Sequence, residues 1–414
     1  MTFLGGALFR SPRISLRTKL AALVLVPLLT SAVPAQANRL TSVQVLRQDV
    51  DGIDGLAGVV SVRVSPDGKN VYSCSASHDA VAVFRRNKVT GALRLAQMVR
   101  DGVDGVDGLA YATSIAISPD GAYAYVAGAA HNAVAVFRRA KKTGALSFVE
   151  VKKQHVAGVD GLSFARAVTV SPDGVNVYVA GQQDNAVAAF RRNPATGVLS
   201  FMEVQRDGVD GVDGLAGVLS VTVSPDGAHL YAAGMEDGAV AVFRRDPATG
   251  ALDFVEAQTE GGHGFGVTGV HSVTISPDGV YVYASGQGDD DIAVFRRDRT
   301  TGKLTLVEVT AEGVDGVTGL FGAVWVALNP HGTHLYASGA LDNAVAVFDR
   351  NPTTGTLAFA EAHEGSSVPP GVHDLPQVRG LALARSVAVS PDGKHIYVSG
   401  SRSDAMSVFR VGAQ

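Results

Sequence analysis

Short apolar segments alternate with tight-turn sequences along the chain, and the alternation repeats at a nearly constant spacing. The clearest turn is Ser65-Pro66-Asp67-Gly68, in which proline presets φ and glycine accepts a positive φ. Copies of this tetrapeptide, degenerate in the sixth, begin at Ser65, Ser118, Ser171, Ser224, Ser276, Asn329 and Ser390. The intervals are 53, 53, 53, 52, 53 and 61 residues. A fixed period of this size indicates a repeat architecture.

The third unit shows the elements that each repeat predicts. Residues 165–170 form an apolar first strand, and the turn at Ser171 leads to a second strand over residues 175–180. A third strand covers residues 186–190, and a fourth covers residues 199–204. The inner strands lack polar alternation, so both of their faces are expected to be covered, whereas the fourth alternates as an outer strand does.

Four-stranded antiparallel sheets repeated seven times predict an all-β fold, a seven-bladed β-propeller. The last unit ends near Val411 with no fourth strand after it. Leu40, however, lies 25 residues before Ser65, the same offset that separates Leu93 from Ser118. We therefore expect residues 40–46, near the N-terminus, to supply the outer strand of the seventh blade and to close the ring, which removes free sheet edges.

The first 37 residues differ in kind from the repeats. Basic residues precede an apolar run over residues 20–33, which is followed by Ala35-Gln36-Ala37. This order predicts a secretory signal peptide cleaved before Asn38, with residues 38–414 forming a single propeller domain. The alternative is an uncleaved membrane anchor. The prediction is an exported monomer, periplasmic or extracellular, with no membrane association after cleavage.

Composition narrows the possible functions only slightly. The 414 residues carry a formal net charge of −4 and no basic stripe, which argues against a nucleic-acid partner. Cys74 is the single cysteine, so it cannot form an internal disulfide and is interpreted as a small core residue.

The charges separate between two ends of the predicted ring. Arg-Arg pairs end five of the third strands, next to the turns, whereas the crossovers between blades are rich in Asp-Gly sequences. A calcium site built from carboxylates on these glycine-rich loops is one interpretation, with Asp104, Asp107, Asp210 and Asp213 as ligands. The other interpretation is that Asp and Gly simply build tight crossovers through Asx-turns.

The repeats resemble the lactonase-like seven-bladed propellers, the family of 6-phosphogluconolactonase and the YVTN repeat proteins. The resemblance rests on Ser-Pro-Asp-Gly followed by strands such as residues 175–180 and 239–243, and on Thr249-Gly250-Ala251-Leu252. It covers residues 40–410 and implies the propeller fold, with activities that range from lactone hydrolysis to binding alone. A signal peptide is a departure from the cytosolic enzyme.

One level of the ring breaks the repeat pattern. Five residues before each turn, at the end of the first strand away from the turn, the seven units read Val60, Thr113, Arg166, Leu219, His271, Val324 and Arg385. His271 is a candidate general base toward water, and Arg166 and Arg385 are candidates to stabilise an oxyanion of a carboxylated lactone. The alternative is that these three side chains pair with the acidic crossovers.

Two crossovers also deviate from the repeat. Residues 260–265 replace an Asp-Gly sequence, and residues 363–379 contain the eight-residue excess of the last interval. They make His263, His373 and Asp374 candidate ligand-binding residues. A transition-metal site that uses His155, His263, His271 and His373 is a further alternative, although these histidines lack short ligand spacing.

The sequence thus favours a ligand- or partner-binding module that acts through the acidic crossover face, with Ca²⁺ as a stabilising ion. The alternative is a lactone hydrolase with its His and Arg site at the channel mouth. A purely structural envelope protein is the third hypothesis.

Overall fold

A computed structural model describes residues 39–259, 269–365 and 380–412. Within these ranges lie 28 strands. In chain order they are β1 (Leu40–Arg47), β2 (Val59–Val64), β3 (Asn70–Ser75), β4 (Ala80–Arg86), β5 (Leu93–Arg100), β6 (Ala112–Ile117), β7 (Tyr123–Gly128), β8 (Ala133–Arg139), β9 (Leu146–Lys153), β10 (Ala165–Val170), β11 (Asn176–Gly181), β12 (Ala186–Arg192), β13 (Leu199–Arg206), β14 (Val218–Val223), β15 (His229–Gly234), β16 (Ala239–Arg245), β17 (Leu252–Thr259), β18 (Val270–Ile275), β19 (Tyr281–Gly286), β20 (Asp291–Arg297), β21 (Leu304–Ala311), β22 (Ala323–Leu328), β23 (His334–Gly339), β24 (Ala344–Arg350), β25 (Leu357–Glu364), β26 (Ala384–Val389), β27 (His395–Gly400) and β28 (Ala405–Val411).

The strands form seven four-stranded antiparallel sheets, which confirms the predicted seven-bladed propeller. In the third blade the order is β10-β11-β12-β13, from the channel outward. Two faces follow from this order. The turn face carries the Ser-Pro-Asp-Gly turns and the turns between third and fourth strands. The crossover face carries the loops between second and third strands and the crossovers between blades.

The N-terminal strand closes the ring as the sequence predicts. β1 pairs with β28 in the sheet that also contains β26 and β27, with Leu40 opposite Val411 and Arg47 opposite Ala405. The Leu40 N–H donates to Glu361 of the preceding blade at 2.7 Å. The equivalent Leu93 N–H donates to Gln44 at 2.8 Å, so the closing strand makes the same interblade contact as a covalently continuous one.

The core lies between neighbouring blades. The second and third strands are buried along nearly their whole length and contribute one tyrosine and one phenylalanine per blade, as Tyr178 and Phe190 do in the third. Cys74 is fully buried among apolar side chains, and burial raises the pKa of its thiol. It is a core residue, as predicted. Among the described residues, no helix has the length and apolar character needed to cross a bilayer.

A buried arginine joins neighbouring blades at the turn face in six of the seven junctions. Arg245 donates to the Tyr178 hydroxyl at 2.9 Å, to the Gly227 carbonyl at 3.0 Å and to the Asp173 carboxylate at 2.6 Å. Equivalent buried arginines are Arg86, Arg139, Arg192, Arg297 and Arg350. The second member of each Arg-Arg pair is therefore neutralised by a turn aspartate, so the predicted separation of charge between the faces is smaller than the arginine pairs alone suggest.

The junction between the sixth and seventh blades lacks this arginine. Val411 occupies its position, His331 replaces the turn aspartate, and the buried Tyr336 hydroxyl has no hydrogen-bond partner among the described residues. The degenerate sixth turn is thereby explained, because an aspartate at position 331 would have no guanidinium to pair with.

Candidate functional site

Three chemically distinctive side chains come from one level of the inner strands. Arg166, His271 and Arg385 are the second residues of β10, β18 and β26, and in each strand the register shifts between the first and third residues. A β-bulge of this kind leaves the extra residue out of the ladder and re-aims its side chain. All three side chains line one cavity of about 290 Å³ at the crossover-face mouth of the channel. The structure therefore brings together the residues that the sequence proposed as catalytic.

Electrostatics keep His271 neutral. Burial lowers its pKa most, and the positive charges of Arg166 and Arg385 lower it further, to about 3. A hydrogen bond with the Val324 backbone opposes the shift only in part. At any pH well above this value the imidazole is neutral and has the free lone pair that a general base needs, but the low pKa makes it a weak base while the cavity is empty.

Among the described residues, no carboxylate neutralises the positive charge of Arg166 or Arg385. Within the described residues neither forms an ion pair with a carboxylate, and burial is the main cause that lowers the pKa of each guanidinium. Arg385 Nε and His271 Nδ1 are both buried, and neither has a hydrogen-bond partner among the described residues. Buried polar atoms are normally satisfied, so these two groups are free to bond to water or to a ligand in the cavity. The alternative, pairing with acidic crossovers, is not seen in the described residues.

Sequence reasoning missed Tyr111, which also lines the cavity. Tyr111 is close enough to both guanidinium groups to oppose the effect of burial on their pKa. Tyr111 and Phe164 stand in left-handed backbone, with φ of 55° and 53°, where Gly58 and Gly217 occupy the same position in other blades. Bulky residues held in this region mark functional sites, and aligning the repeats would have exposed the exception.

Phe164 and Tyr111 form an aromatic rim beside Arg166. Their ring centroids are 5.9 Å apart, and the Arg166 guanidinium carbon lies 5.9 Å from the Phe164 ring. The Phe164 N–H donates to Asn132 and the Tyr111 N–H donates to Asp79, both across a blade boundary. These bonds hold the strained residues, and they give loop residues of the acidic face a structural role.

The candidate ligand-binding residues His263, His373 and Asp374 lie outside the described residues, as does the signal peptide. The alternative transition-metal site is not assembled by the histidines that are described. Among those residues, neither His155 nor His271 belongs to a group of three metal-binding side chains.

The carboxylates proposed for calcium are distributed differently from the prediction. Asp104 and Asp210 are exposed at turn positions with φ of 52°. Asp107 instead groups with Asp101 and His131, and Asp213 groups with Asp207 and Asp237; the ligand atoms within each group lie within 4.8 Å of one another.

The two groups differ in charge. In the first group, Lys153 at the end of β9 contacts Asp107 at 2.8 Å. The equivalent residue beside the second group, at the end of β17, is the neutral Thr259. Burial raises the pKa of Asp237, and the charges of Asp207 and Asp213 raise it further. Each carboxylate in this second group also accepts a backbone N–H of the crossover, at separations of 1, 8 and 21 residues, so these bonds tie the crossover together without forming Asx-turns. Calcium binding therefore stays a prediction.

Calcium should raise the melting temperature of the protein if the second group binds it, because a ligand of the native state alone stabilises that state by about 2.7 kcal/mol at one hundred times its Kd. Asp213→Asn should remove the shift. Asp104→Asn is the matched control, since asparagine tolerates the same left-handed backbone. The measurement is a pair of melting curves, one with calcium and one with a chelator. Identical midpoints would show that calcium does not stabilise the protein.

Comparison with known proteins identifies relatives. A family model described as "Lactonase, 7-bladed beta-propeller" matches residues 26–104, 97–212 and 268–414. A protein named probable 6-phosphogluconolactonase from Arthroderma benhamiae is 33% identical over 134 residues, which are 31% of this chain and 33% of that protein. A 6-phosphogluconolactonase from an Enterobacter species is 24% identical over 278 residues, covering 66% of this chain and 72% of that protein.

Solved structures share the fold at low identity. The periplasmic gluconolactonase of Pseudomonas aeruginosa superposes with a TM-score of 0.59 at 21% identity, covering 73% of this chain and 84% of that one. Hydrazine synthase of Kuenenia stuttgartiensis gives 0.63 at 19% identity, covering 89% and 100%. Because one propeller supports such different chemistries, these likenesses concern the fold alone. The match of the family model over most of the chain goes further, and the protein belongs to the seven-bladed β-propeller lactonase family.

Proposed function

We propose that the protein hydrolyses a sugar lactone that carries a negative charge, at the cavity lined by His271, Arg166 and Arg385. The observation that carries this proposal is the neutral imidazole beside two guanidinium groups that have no carboxylate partner in the part of the chain that the structure describes. The 6-phosphogluconolactonases among the relatives support the same reaction class. The sequence favoured a binding module, and that hypothesis is the outcome if no lactone is turned over.

The reaction divides its work among these side chains. His271 accepts a proton from water as the water oxygen bonds to the lactone carbonyl carbon. One arginine stabilises the resulting oxyanion. The bond between this carbon and the ring oxygen then breaks, and the proton returns from the imidazolium to the ring oxygen. The products are a carboxylic acid and a hydroxyl group on one open chain.

Charge matching indicates the substrate class. Two uncompensated cations exceed what a single oxyanion requires, so the second arginine is available for a fixed anion on the substrate. A carboxylate or phosphate meets an arginine through two parallel hydrogen bonds. We also propose export, from the basic and apolar segment at the N-terminus. Export favours a carboxylated lactone over a phosphorylated one.

A lactone panel tests this function. Wild-type protein should hydrolyse glucarolactone or 6-phosphogluconolactone, both charged, faster than uncharged gluconolactone, with acid release followed in a pH-stat. Arg385→Met should raise KM for the charged lactones at least about tenfold, because a hydrogen-bonded charge pair contributes about 1.5–3 kcal/mol. It should change KM for gluconolactone much less.

Arg191→Met is the matched control, since Arg191 is an exposed arginine of β12 at the turn face. Arg191→Met should leave KM for all three lactones unchanged. If wild-type protein turns over none of the panel above the spontaneous rate, hydrolysis is rejected and the binding module remains. If Arg385→Met alters charged and uncharged lactones equally, the charge assignment is wrong.

A further inference from the structure

The turn-face end of the channel holds a second cavity, of about 450 Å³. Trp325 lines this cavity and also the mouth cavity, so the indole lies between the two. Nothing in the proposed hydrolysis uses the turn-face cavity. Its size is within the range of small-molecule sites, about 300–1,000 Å³.

In each unit, one residue of the inner strand lies two positions before the turn. Its type is similar in six units and different in one. Six units have small or hydroxylated residues, and the first has an arginine. In order, the residues are Arg63, Ala116, Thr169, Thr222, Thr274, Ala327 and Ala388. All seven except Ala116 line the turn-face cavity. A single guanidinium therefore stands among threonine and alanine side chains at the narrow centre of the ring.

Arg63 lacks the contacts that the structural arginines of this fold make. Its Nε donates to the Ile115 carbonyl at 3.4 Å, and its guanidinium carbon lies 5.8 Å from the centroid of the Trp325 ring. Within the described residues it has no carboxylate partner. Arg245, by contrast, binds an aspartate, a tyrosine hydroxyl, a carbonyl and an asparagine. Burial lowers the pKa of the Arg63 guanidinium, as expected for a cation without a counter-charge.

Trp325 is a second exception at the same end. Four residues before each turn the units read Ser61, Ser114, Ala167, Ser220, Ser272, Trp325 and Ser386. The indole N–H donates to the Val387 carbonyl at 3.1 Å, which fixes the ring on the neighbouring inner strand. The ring thereby offers a flat apolar wall beside the Arg63 guanidinium.

We propose that the turn-face cavity is a second ligand site, which binds a small hydroxylated monocarboxylate through Arg63. One guanidinium matches one carboxylate through two parallel hydrogen bonds. A phosphate dianion would leave one charge uncompensated in a buried site, which is unfavourable. Thr169, Thr222 and Thr274 supply polar groups for substrate hydroxyls, and the indole face covers the carbon chain. The proposal is independent of lactone hydrolysis at the opposite mouth.

The protein contains one tryptophan, so its intrinsic fluorescence reports on this cavity directly. Gluconate is the probe, sorbitol is the uncharged match, and inorganic phosphate tests the charge. We expect a saturable change in tryptophan emission with gluconate and none with sorbitol at equal concentration. Arg63→Met should weaken the gluconate Kd at least about tenfold. Arg63→Lys keeps the positive charge but loses the two parallel hydrogen bonds of the guanidinium. Its Kd for gluconate should lie between those of wild-type protein and Arg63→Met.

Arg385→Met separates the two cavities, because Trp325 lines both. It should leave the gluconate titration unchanged. A signal that is lost in Arg385→Met and kept in Arg63→Met would assign the ligand to the mouth and overturn the proposal. So would the absence of any saturable signal in wild-type protein, or a preference for phosphate over gluconate. Far-ultraviolet circular dichroism checks that each variant is folded. If Arg63→Met is unfolded, the Kd of Arg63→Lys decides whether Arg63 binds gluconate.

Discussion

Replacing Arg245 by valine should lower the free energy of unfolding by at least about 3 kcal/mol, because it removes several hydrogen bonds of a buried cation that contribute about 1.5–3 kcal/mol each. The Arg245 side chain is almost fully buried and donates to Asp173, Tyr178, Gly227 and Asn176. Valine would remove all four bonds, although Asp173 would keep those from Ser171 and Val175. The measurement is equilibrium unfolding in denaturant, with Arg244→Val as the exposed neighbouring control.

The protein itself offers a matched test of the cause. At the sixth junction the chain combines Val411 with His331, so the arginine–aspartate pair of these two positions is absent there. The double variant Asp173→His with Arg245→Val copies that arrangement into the third junction. It should be less destabilised than the sum of its two single variants, by about 0.5–3 kcal/mol, because the interaction lost is shared. Strict additivity would show that Asp173 and Arg245 do not depend on each other.

The same pairs predict how stability responds to acid. Burial would raise the pKa of Asp173, but hydrogen bonds from Ser171 and Val175 and the Arg245 guanidinium together hold it below its usual value. A carboxyl whose pKa is lower in the folded state stabilises the fold above its unfolded pKa of about 4, and this contribution is lost as the pH falls further. Asp67, Asp120 and Asp392 have the same shift. Wild-type stability should therefore fall steeply below about pH 4, and less steeply in Arg245→Val.

Blade number, strand order and ring closure were predictable because they depend on local sequence. Turn tetrapeptides and alternating strands are encoded within one unit, and Leu40 could be placed by its offset from Ser65 alone. The contacts of the buried arginines were not predictable from the sequence, because Arg245 bonds to Tyr178 and Asp173 at separations of 67 and 72 residues. Such a distance exceeds one repeat, so a pattern confined to a single unit does not contain it.

The candidate site was predictable in part for the same reason. Arg166, His271 and Arg385 depart from the composition of their own level, which a repeat alignment reveals. A repeat alignment also shows Tyr111 where Gly58 and Gly217 stand, but the backbone strain at this position is known only from its φ of 55°. The grouping of Asp213 with Asp207 and Asp237 was missed because it joins a crossover to a loop of the following blade.

Replacing His271 by alanine should lower kcat for a charged lactone by about a hundredfold to ten-thousandfold, the range that general-base catalysis contributes. The variant also loses the hydrogen bond with the Val324 backbone, so its folding is checked by circular dichroism. His155→Ala is the matched control, because His155 is an exposed histidine of a crossover. Turnover that survives in His271→Ala would assign the proton transfer to another group.

The pH dependence separates His271 from an ordinary histidine, since its pKa of about 3 keeps it unprotonated far below 6.5. The value of kcat/KM reports the free enzyme, so it should not fall as the pH is lowered through 6.5. An anionic lactone neutralises the arginine charges that help to depress this pKa, so the bound imidazole becomes a stronger base. The acid limb of kcat should therefore lie at higher pH than that of kcat/KM. An uncharged lactone should not produce this separation, and coincident limbs for both substrates would remove the coupling between substrate charge and the basicity of His271.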